Sequence, residues 1–107
     1  MAFVAINYIT CKDDYRERFE QLFATRARAI DRMPGFISFE LLKPEQDGGP
    51  YLIVSHWEKR ENFEHWTSSE EFVEGHKRGF ADLKRYKEEG REPPLKSDFK
   101  TYEVIAL

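Results

Sequence analysis

Residues Ala2–Ile9 alternate with a period of two, so that Phe3, Ala5, Asn7 and Ile9 fall on one face of an extended segment and Val4, Ile6 and Tyr8 on the other. Both faces are largely apolar, and this constrains the fold more than any other feature of the chain. One face of an antiparallel sheet is ordinarily covered and the other wet. A strand that wants cover on both sides calls for helices over one face and, most simply, the sheet of a second subunit over the other. Asn7 interrupts the first row. Asparagine is disfavoured in strands and costly to bury alone, so it reads either as an amide satisfied at a strand end or as a polar group aimed into a pocket.

The remaining patterns say what lies around that strand. Asp13 or Asp14 can cap a helix that carries Tyr15, Phe19, Leu22, Phe23, Ala27 and Ile30 at helical spacing and is stopped by Met33-Pro34-Gly35. Phe36–Leu42 and Tyr51–Trp57 alternate as strands around Lys43–Pro50, a hairpin loop by its Gly and Pro content. Glu58–Trp66 predicts a short helix with Phe63 and Trp66 on one face, and Ser68 with Glu71 reads as a capping box that starts another helix near Ser69. Lys84–Asp98 has few apolar residues, a Gly and a Pro-Pro pair, which predicts a mobile loop, either a connection or a lid over a pocket. Phe99–Leu107 alternates again as a fourth strand. The order implies a single domain over residues 1–107, an α+β ferredoxin-like sandwich with one antiparallel four-stranded sheet.

Composition narrows the function. At 107 residues the chain suits one compact domain, and nine Phe, five Tyr and two Trp exceed what so small a core needs, so a pocket or subunit interface is expected to absorb some of them. A net charge of −3 with interspersed signs offers no basic track for nucleic acid and no polybasic membrane patch. Cys11 is the single cysteine, and the N-terminal segment lacks a basic and then apolar leader pattern, so a cytoplasmic protein without disulfides is expected.

The stretch Asn62–Phe80 carries the chemistry. Phe72, His76 and Phe80 stand at i, i+4 and i+8, which places a histidine on the inward stripe of a helix. Such a histidine is either a neutral imidazole hydrogen-bonded in the core or a ligand to a metal. Trp66, at the junction of two helices, reads on packing grounds as core.

The run Trp57-x5-Phe63-x2-Trp66-x5-Phe72-x3-His76, together with Asn7, resembles the IsdG-type heme-degrading monooxygenases of the antibiotic-biosynthesis-monooxygenase superfamily. The resemblance extends from Asn7 through Phe23 and Gly35-Phe36 to His76 and weakens after about Phe80. It implies that His76 is the axial ligand of heme iron, that Asn7 is a distal amide, that Trp66 crowds the porphyrin and that Phe23 is apolar wall. It also implies a homodimer whose sheets meet as an α+β barrel, with heme as both cofactor and substrate, O₂ as co-substrate and a separate reductase as electron donor. Arg26, Lys77 and Arg78 are candidates to meet the heme propionates. Two other readings stay open: a cofactor-independent monooxygenase of quinol- or anthrone-like aromatics, which gives an inward His76 no evident task, and a non-enzymatic dimeric binding module.

Overall fold

A computed structural model describes residues 2–107. Its strands are β1 (Phe3–Cys11), β2 (Phe36–Leu42), β3 (Tyr51–Trp57) and β4 (Leu95–Glu103), and its α-helices are α1 (Arg16–Ala24), α2 (Arg60–Thr67) and α3 (Glu70–Glu88). The strands form one sheet in the order β2-β3-β1-β4 with every neighbouring pair antiparallel, the ferredoxin-like α+β arrangement expected from the order of the patterns. Among the described residues no helix is long and apolar enough to cross a membrane.

The register sets the two faces of the sheet. Asn7 lies opposite Ile53 on one side and Phe99 on the other, so the row Phe3, Ala5, Asn7, Ile9 shares a face with Tyr51, Ile53, Ser55 and Trp57. That face packs into two separate cores. One gathers Phe3, Ala5, Ala29, Ile30, Met33, Trp57 and Trp66, and the other Ile9, Tyr15, Phe19, Tyr51 and Tyr86. The opposite face carries Val4, Ile6 and Tyr8 beside Leu52, Val54 and His56 of β3 and Tyr102 of β4, with the Tyr8 and Tyr102 hydroxyls 3.3 Å apart. In the chain alone Ile6, Tyr8 and Leu52 stay half-buried, and Leu42 and Tyr102 are exposed.

Three expectations need correction. The helix foreseen from Asp13 to Ile30 is broken: a 3-10 turn at Asp13–Tyr15 leads into α1, which ends at Ala24, and a second 3-10 turn spans Ala29–Arg32. Arg28 between them takes a left-handed conformation with φ of 59°, which turns the chain so that Ala29, Ile30 and Met33 pack beneath Trp57 and Trp66. Burial of that apolar group overrides the helical spacing of Ala27 and Ile30. The loop foreseen over Lys84–Asp98 shrinks to residues 89–94, because α3 runs on to Glu88 and β4 begins at Leu95. The charges there decorate the outer side of a helix and an edge strand, while Tyr86 and Pro94 are buried. The cap of α3 is Ser69 rather than Ser68: the Phe72 amide donates to Ser69 Oγ at 3.2 Å, and the Ser68 hydroxyl instead donates to the Glu64 and His65 carbonyls that end α2.

Gly35 is fixed by close approach. It has φ of 77°, and a Cβ there would stand 2.2 Å from Cγ of Asn62, whose Oδ1 accepts from the Lys59 amide at the start of α2. The turn before β2 is thereby seated against the helix that presents Trp66.

Candidate active site

A cavity of about 540 Å³ separates the two cores, with Ala5, Asn7, Ile53 and Ser55 of the sheet on one side and α1, α2 and α3 around it. Its volume lies in the range of pockets that enclose a small organic ligand, roughly 300–1,000 Å³. Asn7, Phe23, Trp66 and His76 all line it, so the structure brings together the four residues singled out in the sequence.

His76 sits in an aromatic column on α3. Its ring stacks on Phe72 at 4.0 Å and on Phe80 at 5.3 Å, and the Trp66 ring is 6.2 Å away. Nδ1 lies 2.7 Å from the Phe72 carbonyl, which can only accept, so Nδ1 carries the proton and donates it there. Nε2 is left with its lone pair. Burial pushes the imidazole pKa below its ordinary value, and the hydrogen bond to the Phe72 carbonyl opposes that shift only in part, so the neutral ligand form is favoured. A carbonyl that fixes the tautomer and orientation of an imidazole is the usual support of a metal-ligating histidine.

Asn7 faces the cavity from the centre of the sheet. Ser97 on β4 donates to Asn7 Oδ1 at 2.5 Å, which engages the acceptor end of the amide and leaves the two Nδ2 hydrogens as donors. Trp66 is 6% exposed and held at 5.3 Å from Phe72 and 6.5 Å from Trp57. It is therefore both core and cavity wall. Phe23 stacks on Phe39 at 6.0 Å, and both line the cavity.

The three candidate cations fare differently. Arg78 donates to Thr25 Oγ1 at 2.8 Å and to the Leu22 and Thr25 carbonyls at 2.9 Å each, so its guanidinium is committed to the C-terminal end of α1. Arg26 lines the cavity, pairs with Asp31 at 3.2 Å and lies over the Phe39 ring at 4.6 Å. Lys77 is exposed and is not among the cavity-lining residues.

Two residues escaped the sequence reading. Asp82 on α3 is 3% exposed and accepts from the Tyr15 hydroxyl at 2.7 Å and from Arg18 Nε at 3.0 Å. Burial alone would raise its pKa, but the Arg18 and Tyr15 hydrogen bonds outweigh burial and hold the carboxyl below its usual range. Its place one turn after Arg78 on the same flank of α3 was the available signal, masked by the charged residues that follow. Gly79 also lines the cavity, one turn after His76. Among the described residues no cluster of three or more His, Cys, Asp or Glu side chains could hold a bare metal ion, and a single imidazole in an apolar chamber suits a metal that brings its own equatorial ligands. On the cavity side of α3, Gly79 leaves room beside His76 for such a flat group.

Comparison with known proteins identifies the family. Residues 2–78 match the family described as Antibiotic biosynthesis monooxygenase. The chain belongs to that family. It is 38% identical over 68 residues to a heme oxygenase (mycobilin-producing) of Mycobacterium tuberculosis, a match that covers 64% of this chain and 65% of that protein, just under two thirds of the relative's length. It is 33% identical over 76 residues to a heme oxygenase (staphylobilin-producing) of Staphylococcus haemolyticus, which covers 69% of this chain and 72% of that one. Among solved structures of the family's fold, that of the heme degrader MhuD from Mycobacterium tuberculosis, with two hemes bound in its active site, superposes with a TM-score of 0.69. The two share 27% identity, over 97% of this chain and 96% of that chain. These relatives fall in the group that the pattern of Asn7, Trp66 and His76 implies.

Proposed function

We propose that the chain is a heme-degrading monooxygenase that binds heme in the cavity through His76 and cleaves the porphyrin oxidatively with O₂ and electrons from a separate reductase, releasing iron. The observation that carries this reading is the state of His76: a neutral imidazole with Nδ1–H tied to the Phe72 carbonyl and Nε2 free in an aromatic cavity. The cofactor-independent reading gives an inward His76 of this kind no evident task. When bound, heme brings the iron at which O₂ is activated and the meso carbon that is oxidised.

The chain's own residues do the rest. His76 would hold the iron of such a group through its free Nε2. Asn7 would offer amide N–H donors to oxygen bound in the cavity and supplies no acidic proton, so it would orient without protonating. Trp66, backed by Trp57 and Phe72, is a wall that yields little and would press on a bound ring. Phe23 and Phe39 exclude water from the apolar flank.

The working unit is a homodimer in the cytoplasm. The chain exposes 7478 Å², whereas a monomer of its mass is expected to expose about 6,300 Å². The excess is of the order that one partner buries in a standard interface, about 800 Å², and the open sheet face of Ile6, Tyr8, Leu52 and Tyr102 is where a second copy fits.

Hemin titrated into the purified protein should give a saturable Soret band with an axial-imidazole spectrum that decays with O₂ and a reductant. A titration with no saturable band would refute the reading. Sedimentation at micromolar concentration should show a dimer, and a soluble monomer there would remove the barrel.

A further inference from the structure

Helix α3 carries a glycine in its interior, at Gly79, without any of the usual reasons for one. Its φ is not in the left-handed region, and a Cβ built on it meets no atom within 4 Å, so neither backbone conformation nor packing requires it. A glycine there lowers helix stability relative to alanine. The open space is the cavity itself: Gly79 lines it and stands three residues beyond His76, hence on the neighbouring position of the same helix face. Gly75, at the preceding turn, differs, since a Cβ there would make ordinary contact with the Trp66 ring at 3.5 Å and Ala29 at 3.8 Å. Only at Gly79 would an added side chain project into empty volume beside the ligating face.

We infer that Gly79 is a specificity-determining position: its missing side chain is the room that lets the edge of a flat, wide macrocycle lie along α3 while its metal reaches His76 Nε2. This rests on the heme reading above. A thin or small aromatic ligand would not need that room, so residue size at position 79 separates planar tetrapyrroles from narrower ligands.

The test exploits opposite signs. Gly79→Ala should raise the melting temperature by about 4 °C, because alanine favours the helix and nothing in the free protein clashes. The same variant should weaken hemin binding about tenfold, the counterpart of forcing one methyl into a filled site. Gly79→Leu should fold and lose the axial-imidazole band altogether. The readouts are thermal unfolding without ligand and Soret titration with hemin. Wild-type affinity in both variants, or a lower melting temperature for Gly79→Ala, would overturn the assignment while leaving the heme reading intact. Absence of a saturable band in the wild type would instead overturn the heme reading.

Discussion

Asp82→Ala should cost this protein about 3 kcal/mol of stability, and the structure says how the loss divides. Tyr15 is 2% exposed, and Asp82 is the acceptor its hydroxyl donates to, at 2.7 Å. Removing the acceptor strands a buried donor, which costs about 1–3 kcal/mol. Arg18 loses a charge-assisted bond at 3.0 Å, but its side chain is 38% exposed, so water replaces most of that contact and its share is below about 1 kcal/mol. Tyr15→Phe alone leaves the carboxylate with Arg18 and should cost about 1 kcal/mol. The double variant should lie near 2–3 kcal/mol rather than the additive 4, because without the hydroxyl nothing is stranded. Urea unfolding at pH 7 measures all four corners of the cycle, and the Asp82→Ala melting temperature should fall by about 12 °C or more. The pH dependence supplies a second check. The folded-state pKa of Asp82 lies below its ordinary value of 3.8, so the unfolded chain takes up the proton first, and the stability conferred by the carboxylate is present above that value and lost as pH falls below it. The gap between wild type and Asp82→Ala should therefore narrow below about pH 3.8. Additive single losses, a loss under about 1 kcal/mol, or a gap that persists in acid would refute the account.

Three further outcomes bear on the site. His76→Ala should abolish the axial-imidazole spectrum and turnover, whereas His65→Ala, exposed on α2, should leave both unchanged; and because burial lowers the His76 pKa, wild-type affinity for hemin should hold through pH 6.5 and fall only at lower pH, read by Soret titration across pH. Asn7→Ala should bind hemin within about threefold of wild type but degrade it at least tenfold more slowly, since it deletes distal N–H donors and leaves the proximal bond alone; unchanged single-turnover kinetics would return Asn7 to a purely structural role with Ser97. Trp66→Phe should keep affinity, flatten the bound ring as seen by resonance Raman and slow degradation, whereas equal losses in affinity, rate and melting temperature would show that the indole only holds the core together.

Much of this was legible in the sequence because it rests on period. The two-residue alternation of Ala2–Ile9 placed Asn7 on the covered face, and the four-residue spacing of Phe72, His76 and Phe80 produced the aromatic column. What was not legible depends on partners far along the chain. Nothing local to Thr25–Arg28 says that α1 stops, since the carbonyls freed at Leu22 and Thr25 are taken up by Arg78, 53 and more residues away. Lys84–Asp98 reads as a loop because an edge strand and the outer flank of a helix show few apolar residues, and the two that anchor the segment, Tyr86 and Pro94, do not form a pattern by themselves. Trp66 was legible as core and proved to be core and wall together, a pair of roles that sequence spacing cannot separate.

The polar ties between α1 and α3 explain why a chamber survives between them. Helix α3 packs chiefly on Ala29–Arg32 and on α2; apart from Tyr86, which shares a core with Tyr15 and Phe19, its links to α1 run through the polar side chains of Arg78 and Asp82. On one flank of α3 the cation Arg78 meets the C-terminal carbonyls of α1, and the anion Asp82, one turn later, meets Tyr15 and Arg18 at its N-terminal end. Each charge is matched to the end of the α1 dipole it faces, which fixes the two helices antiparallel and in register. Apolar packing alone would draw helices of this kind to an interaxial distance of about 8–10 Å and close the gap. Tied instead by a guanidinium and a carboxylate, the helices leave Phe19, Leu22 and Phe23 on one side facing Gly79 and Leu83 on the other across open volume. The face of α3 that carries His76 is thus held at a set distance from α1 before any ligand arrives, so binding does not have to supply the energy of separating packed helices.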